Sequence, residues 1–158
     1  MAKMSFRIHA LPREVFSRYF LMSNEELLAH GGVMRIVDKR PGFPCRVSLE
    51  DAQLGERVLL INYEHQSSAT PYRSCHAVYV REHADTANCE LGQVPELFRS
   101  RLMSVRAFDH EGMMLNADAV EGRDLEVTIE RLLRGTAAEY LHLHYAKPGC
   151  YAARVERA

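Results

Sequence analysis

The sequence predicts an α+β fold: a mainly antiparallel sheet with a few helices packed on one face. Three observations predict it. Strand-like runs outnumber helical ones, they follow one another as turn-linked neighbours instead of strand–helix–strand crossovers, and helical periodicity is confined to short amphipathic segments. The chain has 158 residues, within the range of one domain. At that length folding buries roughly 70% of the unfolded surface. No repeat, low-complexity tract or flexible linker divides the chain, so one domain is expected over residues 1–158.

Taken in order, Ser5-Phe-Arg-Ile-His9 alternates like a short strand, and Pro12 to Tyr19 reads as a helical turn with Pro12 at its first position. Ser23-Asn-Glu-Glu26 is a capping-box sequence; Leu27 and Leu28 follow it, and Gly31-Gly32 supplies a left-handed stop. Val33 to Val37 is the next strand. The turn Pro41-Gly-Phe-Pro44 then delivers Cys45 to Leu49 in extended form. Val58 to Tyr63 and His76 to Val80 are rich in strand formers and read as a hairpin with an unusually long polar connection, Glu64 to Cys75. Pro95 to Met103 is predicted helical, Ser104 to Phe108 a strand, and Asp109 to Gly112 a turn. Asp124 to Leu133 is the best helix, with Leu125, Ile129, Leu132 and Leu133 on one face and Gly135 at its end. Tyr140 to Tyr145 and Tyr151 to Val155 are strands around the turn Lys147-Pro-Gly149.

Composition removes several function classes. The balance of 20 basic and 21 acidic residues gives a net charge of −1, far from the basic footprint that phosphate-backbone binding needs, so nucleic acid is not an expected partner. Arginine dominates the basic residues, with lysine only at Lys3, Lys39 and Lys147. A guanidinium fork suits carboxylate or phosphate recognition, although a GC-rich genome produces the same bias. The start has no apolar leader and no later stretch is long enough to span a bilayer, which predicts a cytoplasmic protein without a membrane partner. Cys45, Cys75, Cys89 and Cys150 are widely spaced, with no C-x-x-C, and read as reduced thiols. No nucleophile elbow, Walker A loop, dinucleotide-binding glycine fingerprint or H-E-x-x-H motif is present.

Four groups of residues could carry chemistry. In Tyr140-Leu-His-Leu-His-Tyr145 the strand period puts Tyr140, His142 and His144 on one face. Two histidines at i and i+2 can reach one divalent transition-metal ion, with a third ligand from His65, His76, Glu64, Cys45 or Cys150; the alternative is a hydrogen-bonded polar sheet face. The 64–76 connection gathers His65 and His76 as general bases, Arg73 as an anion contact and Tyr72 to orient a ligand, but a polar hairpin end has the same composition. Cys45 and Cys150 each emerge from a Pro-Gly turn with an arginine nearby, Arg46 and Arg154. That favours a reactive thiolate, against the commoner buried, inert cysteine. Arg106 shares a strand face with Ser104 and Phe108 and is either a further anion contact or one half of an ion pair.

Several longer stretches carry a resemblance: Pro41-Gly-Phe-Pro-Cys-Arg46, Leu60-Ile-Asn-Tyr-Glu-His65, Pro71-Tyr-Arg-Ser-Cys-His76, Ser104-Val-Arg-Ala-Phe-Asp109, and Tyr140 to Ala146 with Gly149-Cys-Tyr-Ala-Ala-Arg154. Together they resemble the bacterial domain-of-unknown-function family numbered 1203, over nearly the whole chain. The resemblance implies a bacterial, stand-alone domain of about this length and brings no activity, cofactor or catalytic residue with it.

These readings converge on a small-molecule site, for an anionic ligand and open to enzymatic use. It would form where the 41–46 turn, the 64–76 loop, Arg106 and the 140–145 strand meet. The convergence requires His142 and His144 within about 12 Å of His65 and His76, the reach of a shared ligand shell. A non-catalytic binding module and an interaction domain are the alternatives. The second would pair an edge strand, 33–37 or 58–61, with another copy or a partner.

Overall fold

A computed structural model describes residues 5–135 and 137–158 of the chain. The opening residues 1–4, on which the expectation of a missing leader partly rests, lie outside the described residues. Among the described residues, eight strands form two antiparallel sheets. The larger contains β1 (Phe6–His9), β5 (Leu102–Phe108), β6 (Met114–Glu121), β7 (Tyr140–Tyr145) and β8 (Tyr151–Arg157) in the order β1-β8-β7-β5-β6. The smaller contains β2 (Gly32–Ile36), β3 (Arg57–Gln66) and β4 (Ser74–Arg81) in chain order. The α+β class read from the sequence is the observed one, although it is built on two sheets where one was expected.

Helix α3 (Leu125–Gly135) covers one face of the larger sheet. Leu125, Ile129, Leu132 and Leu133 recur at helical spacing and are all essentially buried, in one cluster with Val105, Leu141, Leu143 and Val155. Each such side chain contributes roughly 1.5–3 kcal/mol by leaving water. The short helix α2 (Glu96–Arg99) joins the same cluster through Leu97 and Phe98. Helix α1 (Asn24–Ala29) instead packs beside β2. Its cap is the predicted one: Ser23 Oγ accepts the Glu26 N–H at 3.1 Å, and Gly31, at φ +77°, ends the turn.

A second cluster lies inside the smaller sheet, where Leu59, Ile61, Val78 and Val80 meet Phe16, Leu27 and Cys45. Tyr151 of β8 belongs to this cluster and marks where the smaller sheet leans on the larger. Among the described residues, no helix is long and apolar enough to cross a membrane.

Five local expectations change. The single helical turn expected over Pro12 to Tyr19 is two 3-10 turns, Arg13–Val15 and Ser17–Leu21, the second running past Tyr19. Pro95 to Met103, expected to be one helix, is helical only over Glu96–Arg99, and Leu102 and Met103 already belong to β5, where they pair with β6. Cys45 to Leu49 is a buried turn and not a strand: the Leu49 N–H donates to the Cys45 carbonyl at 3.1 Å and Leu49 adopts φ +53°. Its alternating apolar pattern reflects burial of Cys45, Val47 and Leu49 inside a compact turn, which a pleat would produce equally. The long connection shrinks to 67–73 because β3 runs on to Gln66 and β4 starts at Ser74. Strand β6 was not foreseen. Its Asn, Asp and Ala content is unlike a strand's; it is an exposed edge strand that pairs with β5 and meets α3, where Asp118 takes the Arg131 guanidinium. Of the two strands considered for self-pairing, 33–37 corresponds to the edge strand β2, whereas 58–61 lies in the central strand β3.

Candidate functional site

Strand β7 is buried on both faces, for different reasons. Leu141, Leu143 and Tyr145 point into the cluster under α3. Tyr140, His142 and His144 alternate with them and face the smaller sheet, His142 at 2% and His144 at 1% exposure.

Two bulges aim other side chains at this face. The β3–β4 register runs Glu64↔Cys75 and then Gln66↔Ser74, so His65 is the extra residue on β3. A bulge adds local twist and lets successive residues turn to one side. His65 meets the β7 histidines, at ring-centroid distances of 5.7 Å from His142 and 5.1 Å from His144. Gln66 Nε2 donates to Tyr140 Oη at 2.8 Å. On β8 the register slips between Leu143↔Ala153 and His144↔Tyr151, which sets Tyr151 opposite His144. The Tyr151 ring stacks on His65 at 4.9 Å and 11°. His76, opposite Tyr63 on β4, completes the group: its Nδ1 lies 2.6 Å from His65 Nε2, and its ring 5.3 Å from His144.

Three of the four imidazoles share a shortage of partners. Their buried nitrogens, His65 Nδ1, His142 Nδ1 and His144 Nε2, have no hydrogen-bond partner among the described residues. Unpaired buried polar atoms are rare, because each forfeits its hydration without return. One nitrogen from each of His65, His142 and His144 lies within 4.8 Å of the others, a grouping able to hold a metal ion. His144 is also oriented for it. Its Nδ1 is 3.0 Å from the Gly149 carbonyl, which can only accept, so Nδ1 carries the proton and Nε2 presents a lone pair. Gly149 holds that carbonyl in place at φ +81°, a conformation suited to glycine.

Burial keeps these rings neutral. It lowers the pKa of His65 to about 4, helped by His76 and Arg106; that of His142 to about 2, helped by His65 and His144; and that of His144 to about 3, against the pull of the Gly149 carbonyl. His76 is lowered as well, by burial and then by Arg106 and Arg46. Neutral imidazole is the form that ligates metal.

The remaining predicted residues fall at different distances from this cluster. Arg106, opposite His142 on β5, shares its face. Arg46 is 1% exposed and donates to the Tyr151 carbonyl at 2.8 Å, the Pro44 carbonyl at 2.6 Å and Cys150 Sγ at 2.9 Å, with its guanidinium over the Tyr145 ring. With His76, Lys39, Lys147 and Cys150 it lines a cavity of about 900 Å³ that has no acidic residue in its wall. A second cavity, of about 610 Å³, is lined by Glu50, Asp51 and Glu96 with Arg40 and contains none of the histidines. Cys45 is fully buried, and its sulfur accepts the Ser48 and Arg81 backbone N–H groups at 3.4 Å, so it faces no cavity ligand. Tyr72 sits edge-on to Phe108 at 6.2 Å, and Arg73 is an exposed partner of Glu64. Neither reaches the histidines, and Glu64, held by Arg73, is not among the grouped ligands.

Residues 42–157 match a family described as a protein of unknown function, DUF1203. The chain belongs to the DUF1203 family. All four clustered histidines, Arg46, Arg106 and Cys150 lie inside the matched stretch. No curated protein and no solved structure matches this DUF1203 chain.

Sequence reasoning did not find Tyr151, Gly149 or the Gln66–Tyr140 pair. The Lys-Pro-Gly turn signalled Gly149 as a bend but not as the carbonyl that fixes a histidine tautomer. The bulge on β8 that turns Tyr151 inward leaves no mark in the residue pattern.

Proposed function

We propose that this DUF1203 protein binds a divalent transition-metal ion through His65, His142 and His144 and uses it on a small molecule admitted by the cavity that His76 lines. Two observations together carry the reading: His65, His142 and His144 each have a buried nitrogen without a hydrogen-bond partner among the described residues, and one nitrogen of each lies within 4.8 Å of the others. A bound ion satisfies all three at once. Three imidazole ligands leave at least one coordination position open, as catalytic zinc sites do, for water or a substrate oxygen. Ligands about 2.0–2.1 Å from one ion stand roughly 3.3 Å apart, so the rings draw together by an ångström or so on loading. His76, hydrogen-bonded to His65 and facing the cavity, is the group positioned to exchange a proton with a molecule there. The four free cysteines suit a reducing, cytoplasmic setting.

A second reading, a binding module without chemistry, rests on the basic cavity alone, where Arg46, Lys39 and Lys147 face no acid. Elemental mass spectrometry of untagged protein separates the two. Near-stoichiometric zinc, iron or nickel, reduced to background in His142→Ala and His144→Ala variants that keep the wild-type circular dichroism spectrum, is the result expected. Metal-free wild-type protein that takes up none of these ions on dialysis removes the metal reading and leaves the binding module.

A further inference from the structure

The charges around the histidines point to what the centre binds. Arg106 lies directly across from His142 in the β5–β7 register, on the face shared by Ser104 and Phe108. Directly opposed side chains start about 5 Å apart. The half-buried guanidinium has a single hydrogen-bond partner among the described residues, Ser104 Oγ at 3.2 Å. It forms no ion pair among the described residues, because acids on the flanking segments are taken by other arginines: Glu64 by Arg73, Glu156 by Arg154 at 2.6 Å and Asp51 by Arg101 at 2.6 Å. Burial lowers the Arg106 pKa from its usual value, with no carboxylate to offset it. Arg46, at the far side of His76, likewise has carbonyls and a thiol around it and no acid.

A divalent ion held by three neutral imidazoles adds two positive charges beside the one on Arg106. Two cations in a half-buried space repel unless an anion lies between them. Arg106 supplies a planar fork suited to two oxygens of one group, and the metal supplies an open position.

We infer that the centre takes a small oxyanion, a carboxylate or phosphate group, bridging the bound metal and the Arg106 guanidinium, with the rest of the molecule in the cavity of about 900 Å³ beyond His76. The inference rests on the metal reading above and deepens it by naming the ligand class. The cavity volume suits a small metabolite, and Lys39 and Lys147 in its wall, where no acidic residue lies, accommodate a second acidic group.

The test uses cobalt(II)-loaded protein, whose visible absorption bands report the metal's coordination, titrated with inorganic phosphate and separately with acetate. Wild-type bands shift saturably with at least one of them; the tighter anion identifies the group as phosphoryl or carboxylate. In Arg106→Gln the anion dissociation constant rises about tenfold or more, the loss of one charge-assisted pair. Cobalt affinity in the same variant stays the same or tightens, since a neighbouring positive charge is gone. Arg106→Lys recovers part of the anion affinity, and the surface control Arg73→Gln behaves as wild type. Weakened anion binding without weakened cobalt binding excludes a merely structural role. Wild-type bands unmoved by either anion up to roughly 10 mM, or an Arg106→Gln variant that binds both as wild type does, overturn the inference and leave the metal reading standing. Protein that develops no cobalt bands at all overturns both.

Discussion

The two faces of β7 are equally buried and chemically opposite. Toward α3, Leu141 and Leu143 fill a cluster in which apolar surface meets apolar surface. Toward the smaller sheet, His142 and His144 occupy positions as enclosed as those leucines, yet buried nitrogens on both rings are left unpaired. The first face shows burial that stabilises the fold. The second shows burial that the fold tolerates, because removing an imidazole's partners costs free energy that only a ligand returns. One strand thus holds a cohesive side and a costly side, separated by the two-residue period of the pleat.

That contrast can be broken experimentally, and the largest effect of a single substitution is expected on the cohesive side. Leu143→Ala should destabilise the metal-free protein by about 2–5 kcal/mol in urea denaturation. Metal stoichiometry should be unchanged below the transition. Loss of metal without loss of stability would reverse the roles assigned to the two faces.

The pH dependence of stability is expected to come from the costly side. His65, His142 and His144 have pKa values lowered in the fold to about 4, about 2 and about 3, whereas the unfolded chain titrates them near 6.5. The unfolded state therefore takes up protons first. Stability of the metal-free protein should be intact above pH 6.5 and fall as pH drops from 6.5 toward 4, by up to about 1.4 kcal/mol per pH unit for each such imidazole. Urea midpoints at pH 7.5, 6.5 and 5.5 measure it, and a flat profile would mean the rings are not held neutral.

The smallest effect sharpens the comparison most. His142→Leu turns a costly position into a cohesive one and should raise the urea midpoint of the metal-free protein, by about 1 kcal/mol, while abolishing metal uptake. A lowered midpoint would show that His142 is an ordinary, satisfied core residue.

Much of this was legible in the sequence, to differing depths. The 140–145 alternation put the two histidines on one face, and the helix at 125–135 announced itself through its leucines. The hairpin strands were legible from their β-branched and aromatic content. The meeting of His65 with His142 and His144 was not fixed by any spacing, because it depends on two register slips and on how one sheet leans on another. Tertiary packing also overrode the pattern at Cys45 to Leu49, where alternation marked a buried turn. Arg73 read as an anion contact in the linear text, but its neighbour in space, Glu64, already occupies it. Arg106 was weighed against an ion pair with a carboxylate, and among the described residues it has none.

The smaller sheet, β2 to β4, is one continuous excursion of the chain between β1 and β5 of the larger sheet. The candidate ligands divide across that boundary, with His65 on the excursion and His142 and His144 on its host. An ion bound by all three, as proposed, would therefore clasp the two sheets together as well as serve the proposed site. Its contribution scales with supply: free metal at a hundred times its dissociation constant adds about 2.7 kcal/mol to the closed form. If the metal reading holds, metal starvation would leave the excursion joined to its host by contacts such as the Gln66–Tyr140 and Arg46–Tyr151 hydrogen bonds and the packing of Tyr151, and the firmness of the join would follow the cell's trace-metal economy.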